Sequence, residues 1–417
     1  LRFKSSLNEK LNKQFNLIAR NKIKEFHTFI SKISKDNNSS FDWWMSSPSG
    51  RYTLSSPLYF NYCSIYLLNY LIKNNYTVDL ILVDNIHIKK IFENIIKKNH
   101  KFIKVKCPNN ISIESKLLLN GILSILIQLI KKLYAFIICK IINVDYEKIK
   151  NNKLILIDKY VFPGYVEKER YYIGLFEHLS KSQISNIFFV PTIHQFKIQN
   201  IWKTYNKLNN SKYNYFFKEK FIYLSDIIYA FSYFLRKKRI ILKNNYVCDC
   251  DLSNVIRHEL KDNLISYASA IESILAHRFI KNIKKKNYNV VLAIDWFENQ
   301  INDRGWNNGF HVFYPEIETK GYRGLIPSDI LLSEMYPTKD EKNNKMLPKK
   351  ICVIGKGLIN EIKKYDKSLN IDLAPAFRFQ HIWDKKYKPS TKKFVIFIAL
   401  PINFNDSLFI LNLILDS

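Results

Sequence analysis

Acidic, amide, aromatic and guanidinium side chains crowd into one stretch of this chain, Asn289 to Pro327, NVVLAIDWFENQINDRGWNNGFHVFYPEIETKGYRGLIP. Asp295, Trp296, Glu298 and Gln300 follow the apolar run Val290 to Ile294, and Arg304 comes shortly after. Gly321-Tyr322-Arg323-Gly324 closes a second short segment and reads as its turn-prone end. A carboxylate at a strand end can take a proton from a hydroxyl, and a planar guanidinium can grip a phosphate or carboxylate at two points. Glu298 is the first candidate for the base, because it follows the strand directly between aromatic and amide neighbours. Asp295 is the second, with a helix cap as its competing role. Arg304 is the candidate clamp, with an ion pair to Asp303 or Glu298 as the alternative. Trp296, Trp306 and Tyr322 offer flat faces to a sugar, although core packing is the commoner fate of Trp296. Gln300 and Arg323 complete this group of candidate substrate contacts.

Such residues act together only if several strand ends reach one edge. Val78 to Val83, Phe102 to Val105, Leu154 to Ile157, residues 187 to 189, Val290 to Ile294, Ile351 to Ile354 and residues 371 to 375 read as strands, separated by helical patterns. That rhythm predicts an α/β fold with a parallel, doubly wound, Rossmann-like sheet, whose ligands sit past the carboxyl ends of the strands. His194 stands at one such end and is a candidate contact, though a lone histidine is more often structural. Residues 7 to 34 read as an amphipathic helix. Phe41 to Ser47, with two adjacent tryptophans, reads as a packed corner; the alternative is a first strand whose loop carries Arg51 to an anionic acceptor. Residues 211 to 243 read as helical, aromatic and basic, a possible membrane- or partner-facing surface. The run Asp384 to Lys393 reads as a linker, Phe394 to Leu400 as a new buried strand, and Asn405 to Ser407 as the cap of a helix.

Leu117 to Ile142 is the most apolar region. Lys131 and Lys132 interrupt it, and Asn120, Ser124 and Gln128 recur at helical spacing with them. A polar stripe of this kind favours a helix lying in a membrane interface or packed on the sheet over a membrane span.

With 417 residues the chain can hold two domains. Sixty-five basic against 36 acidic residues give a net charge of +29, which suits nucleic acid, anionic lipid or anionic substrates. No aromatic-studded basic module is present, so nucleic acid is not the expected partner. Six cysteines are scattered, mostly in apolar surroundings, as in a reducing compartment. Cys248 and Cys250 lack the spacing and the second ligand pair of a metal site. Gly355-Lys356-Gly357 lacks the rest of a phosphate loop, and Arg257 to Asp262 lacks the second histidine of a zinc protease. The start at Leu1 and the stop inside a newly begun helix suggest a fragment.

The segments DWFENQINDRG, GYRG, LPKKICVIGKG and APAFRF, in that order from Asp295 to Phe379, resemble the bacterial surface carbohydrate biosynthesis proteins with a GT-B glycosyltransferase architecture. The early WWMSS and SPLYFNYC are similar to that family's N-terminal signature, and FVIFIALPINFNDSLFILNLILDS to the opening of its second domain. The likeness is strongest around Trp296 to Gln300 and thin from about 85 to 280. It implies an acceptor-side domain over 1–383, a linker over 384–393, and the first strand and helix of a nucleotide-sugar-binding domain over 394–417. It further implies transfer of a sugar from a nucleotide-sugar donor to a glycan or lipid-linked glycan, without metal or other cofactor, at the inner face of the cytoplasmic membrane. A sugar-nucleotide epimerase on the same plan, or a non-catalytic carbohydrate- or membrane-binding relative, is the alternative. Family members often carry Gln-His or Gln-Gly after the Gly-Tyr of the turn; here Arg323 and Gly324 follow, so no histidine role transfers.

Overall fold

Residues 9–38, 40–107, 111–194, 196–243, 245–262, 264–384, 398, 400 and 404–415 are described, in a computed structural model. The N-terminal helical pattern breaks at Lys22 into α1 (Glu9–Asn21) and α2 (Ile23–Asp36), and Phe26, Phe29, Ile30 and Ile33 turn inward. Phe41 to Gly50 is not a strand. It forms two short helices, α3 (Phe41–Trp44) and α4 (Ser47–Gly50), because Ser40 and Ser46 each accept a backbone N–H at the helix start. Trp43 and Trp44 are buried there, so the packed-corner reading holds. Helix α5 (Leu58–Lys73) follows. The expected strands near 78–83 and 102–105 exist as β1 (Leu80–Leu82) and β2 (Lys104–Lys106), joined by α6 (Ile86–Lys98). They pair in parallel with each other and stay outside the main sheet. The long helix α7 (Ile111–Ile141) comes next.

The main sheet opens with β3 (Leu154–Val161) and, after α8 (Lys181–Ile184), β4 (Ile187–Ile193). A long excursion follows through α9 (Ile198–Asn209), α10 (Leu224–Phe231), α11 (Tyr233–Arg236), the hairpin β5 (Tyr246–Val247) and β6 (Cys250–Asp251), α12 (Ser253–Asp262) and α13 (Leu264–Lys285). The chain then returns as β7 (Val290–Trp296), α14 (Ile301–Phe313), β8 (Glu318–Arg323), α15 (Leu332–Met335), α16 (Lys339–Asn343), β9 (Lys350–Val353), α17 (Gly357–Ile362) and β10 (Ile371–Leu373). Spatial order is β4-β3-β7-β8-β9-β10, all parallel. Parallel neighbours need crossover segments rather than tight turns, which is why helices separate most of these strands. The winding reverses between β3 and β7, and an open sheet of this type leaves a crevice beyond the strand ends at that point. The fold is thus mixed α/β around a six-stranded parallel, Rossmann-like sheet.

The chain divides into two compact units, Leu1–Arg378 and Phe379–Ser417. The second contains α18 (Gln380–Asp384) and α19 (Phe404–Leu415). The expected linker from 385 to 393, and the expected strand over 394–400 apart from 398 and 400, lie outside the described residues.

One face of the sheet is covered by α13 and α14, which cross closely. A methyl group on Gly305 would sit 1.7 Å from the Ser273 carbonyl oxygen, so only glycine allows the backbones to meet here. The Gly305 N–H donates to Ser273 Oγ at 2.7 Å, which fixes the crossing point. We expect Gly305→Ala to lower stability by about 2–3 kcal/mol, the usual cost of overpacking a filled interior, in urea unfolding followed by circular dichroism. Wild-type stability for that variant would contradict the close crossing.

Candidate functional site

Strand β7 ends at Trp296, and the chain leaves the sheet through Phe297-Glu298-Asn299, with Asn299 in the left-handed region at φ 53°. Gln300 caps α14, and Asp303 Oδ2 accepts the N–H groups of both Glu298 and Gln300 at 3.0 Å. This turn aims the half-buried Glu298 at the carboxyl edge of the sheet. Its two oxygens accept from Trp296 Nε1 and Gln300 Nε2, each at 2.6 Å. Beside it the Trp296 indole packs on Tyr171, with ring centroids 4.4 Å apart, and tilts toward Tyr172 and Tyr322. The same indole lies 2.6 Å from where a Cβ on Gly324 would be, so glycine after β8 lets the ring lie flat over the backbone.

Glu334, on α15, is the residue that changes the chemistry of this edge. It is buried, and burial together with the neighbouring Glu298 charge pushes its carboxyl up to about 7, against the pull of Arg323. Tyr52, just after α4, feels the charges of Glu334, Glu298 and Asp303, and its hydroxyl is pushed up to about 12, chiefly by burial. Asp303 and Asp295 are raised well above the carboxylate range, burial again the largest cause. Arg323 is fully buried, and none of its three guanidinium nitrogens has a hydrogen-bond partner among the described residues. It stacks 5.2 Å from the Phe297 ring, and burial lowers it to about 10 while Glu334, Glu298, Asp303 and Asp295 pull it back up. The cluster therefore holds two glutamates at one strand edge, one of which exchanges its proton near neutral pH. Such a pair can take a proton and pass it on.

Several expected roles do not survive the packing. Arg304 is not a ligand clamp: it is fully buried and donates to the Trp44 carbonyl, to Ser49 and, at 2.7 Å, to Glu341. Its ion-pair partner is thus neither Asp303 nor Glu298. Arg51 meets the same Glu341 oxygen at 2.7 Å and donates to the carbonyls of Leu332 and Tyr336, so it faces the interior rather than an acceptor. Trp296 and Trp306 are core residues, and Trp296 presents no open face. Gly321-Tyr322-Arg323 is not a turn but the last part of β8, and the Tyr322 hydroxyl is occupied by the Pro375 carbonyl and the Phe377 N–H. Asp295 caps no helix. It points under α14, where Asn307 Nδ2 donates to it at 2.8 Å, and its other oxygen has no hydrogen-bond partner among the described residues. His194 ends β4, two strands from β7, roughly 10 Å by ordinary strand spacing, so it does not join Glu298.

A second polar cluster lies where β3 and β4 face α13. A small, nearly filled pocket is lined by Asp158, Tyr160, Thr192, Lys218, Glu272 and Trp306, among others. Lys218 donates to Thr192 Oγ1 at 2.8 Å and to Glu272 Oε2 at 3.1 Å, and Lys132 of α7 pairs with the same glutamate. Burial opposes the charge on Glu272, but the two lysines hold it down to about 2. Asp158 is pushed up to about 7 by burial, against the pull of Lys218. His194 borders this group, coupled to Glu272 and Lys132 and lowered by burial. Asp158 and Glu272 are legible in the sequence only as members of a strand and a helix. Glu334, Glu341, Tyr52 and Lys218 carry no local signal, because their partners lie far away in the chain.

Comparison with protein-family models, with curated proteins and with solved structures finds no match for this chain.

Two outcomes follow from the charges. Glu341→Gln leaves Arg51 and Arg304 buried without a counter-charge and should cost about 3–5 kcal/mol of stability in urea titration; a loss below about 1 kcal/mol would show that the pair is not sealed from water. Because Glu334 is raised in the folded state, the stability it contributes is complete below its unfolded value and is lost as pH rises through about 7. Glu334→Gln should therefore remove part of the decline in melting temperature between about pH 5 and 8, whereas an unaltered decline would assign it to other groups such as Asp158.

Proposed function

We propose that this chain is the acceptor-side part of a GT-B-type glycosyltransferase that moves a sugar from a nucleotide-sugar to a hydroxyl of a cell-surface glycan or its lipid-linked precursor. The observation that carries this reading is the Glu298–Glu334 pair at the carboxyl edge of a Rossmann-like sheet, beside the strand where its winding reverses. Open sheets take their ligands at that edge. Glu298 is the base: it is half-buried at the strand end, and its oxygens are aimed by Trp296 and Gln300. In the reaction the acceptor oxygen bonds to the anomeric carbon as the bond to the nucleoside diphosphate breaks, and the hydroxyl proton goes to Glu298. Gln300 lies between the two glutamates, so the charge on Glu334 bears on how readily Glu298 takes that proton. Arg323 acts from behind, tuning the pair by its charge rather than touching substrate. The donor-binding domain belongs, on the resemblance, to the segment that begins near Phe394.

The test is a panel of nucleotide-sugars offered to the chain, within its complete protein, together with membrane extracts holding lipid-linked acceptors. Glu298→Gln should lower turnover by at least about 100-fold, the share expected of general-base catalysis, with little change in donor KM. Wild-type transfer by that variant would remove Glu298 from the mechanism. Release of free nucleotide with no acceptor present would point to an epimerase instead.

A further inference from the structure

The long helix α7 is amphipathic the wrong way round for a helix covering a sheet. Its polar stripe faces the protein: Ser124, Gln128, Lys131 and Lys132 are half-buried, and Lys132 reaches inward to Glu272. Its apolar stripe faces out, with Ile122, Leu123, Leu126, Ile127, Ile130 and Ile137 each 39% to 53% exposed. The neighbouring α10 and α11 continue the pattern, leaving Leu224, Ile228 and Leu235 more than half exposed while Asp226 is turned inward onto Asn282. Contiguous apolar surface on this scale marks an interaction site rather than scattered surface residues.

Charge selects the partner. No acidic residue occurs between Leu119 and Ile141, and Asp226 is the only one from Leu224 to Arg236. Cations stand at both margins. Lys140, beyond Ile137, is close enough to Lys286 and Lys220 that, after burial, their charges lower it further. Lys238 and Arg239 lie exposed at the end of α11, with the Lys238 ammonium 5.9 Å from the Phe234 ring. Apolar side chains bordered by lysines match an anionic lipid surface, with acyl chains below and headgroups around the rim. A second copy of the chain fits less well, since a twofold contact would set like charges against each other.

We infer that α7, with α10 and α11 beside it, is a docking face that lies in the headgroup layer of an anionic bilayer. Gly121–Ile141 is long and apolar enough to cross a membrane. It lies along the surface instead, because Ala135, Ile138 and Cys139 are buried in the protein and the Lys132–Glu272 pair ties its inner side to α13. Binding needs no donor or acceptor, so its failure would leave the transfer reading untouched.

Flotation of the full chain with vesicles of phosphatidylglycerol and phosphatidylethanolamine tests this directly. The chain should float with these vesicles, bind about tenfold less to phosphatidylcholine vesicles, and be released by carbonate washing. Leu126→Gln with Ile130→Gln should cut flotation about tenfold while leaving the far-ultraviolet circular dichroism and melting temperature unchanged, since both side chains point away from the protein. Four results would overturn the inference: a wild-type chain that stays below the vesicles, a double variant that floats equally well, resistance to carbonate as for a span, or a lipid-free dimer that the double substitution splits.

Discussion

Glu341 holds three parts of the chain in register through one carboxylate. Two guanidinium groups, from Arg51 after α4 and Arg304 on α14, converge on the same oxygen at 2.7 Å. The other oxygen accepts the backbone N–H and hydroxyl of Thr338 and so starts α16. Glu341 and both arginines are buried, so their charges are answered by one another and by nearby carbonyl and hydroxyl groups; burial alone would raise Glu341, and the two arginines bring it below the ordinary carboxylate range. Removing any one member strands the rest in a medium that solvates them poorly. This network ties the segment after α4 to α14, α15 and α16.

The beginning of α14 is also the back wall of the candidate site. Arg304 lies one residue after Asp303, and Asp303 receives the N–H groups that shape the Glu298 turn. The arginine that anchors the architecture thus stands one helix position away from the aspartate that shapes the turn of the carboxylate proposed to do chemistry. The same low-dielectric interior produces both behaviours. Where guanidinium groups are in direct contact, as at Glu341, the acid stays ionised; where burial outweighs the hydrogen bonds and more distant charges, as at Glu334, Asp303 and Asp295, the carboxyl is raised. Arg323 sits between these cases, near four acids and hydrogen-bonded to none among the described residues.

The docking face on α7 follows the same logic of what is satisfied inside and what is left outside. Lys132 is spent inward on Glu272, which is also where Lys218 and the Asp158 pocket converge. The polar side of the helix is therefore used up by the protein, and its isoleucines and leucines are left for another phase.

How much of this was legible in the chain itself depends on the range over which each signal acts. Apolar runs such as Val290 to Ile294 and Ile351 to Ile354 declared strands, because a β-branched apolar run leaves a local mark, and the turn after β7 with Glu298 at its tip was readable from a few adjacent residues. The two short helices over Phe41 to Gly50 were not, since serine caps outweigh the strand preference of the tryptophans only once the corner is packed. The roles of Arg304, read as a clamp, and Arg51, read as a loop residue facing an acceptor, were misjudged for a similar reason: a glutamate 37 residues from the first and 290 from the second holds both. Composition and periodicity determined that there would be a parallel sheet, a glutamate at its edge and an amphipathic long helix. Only tertiary structure decided which charges face each other, which carboxyl keeps its proton and which side of α7 looks outward, because those outcomes depend on partners distant in sequence and on the exclusion of water between them.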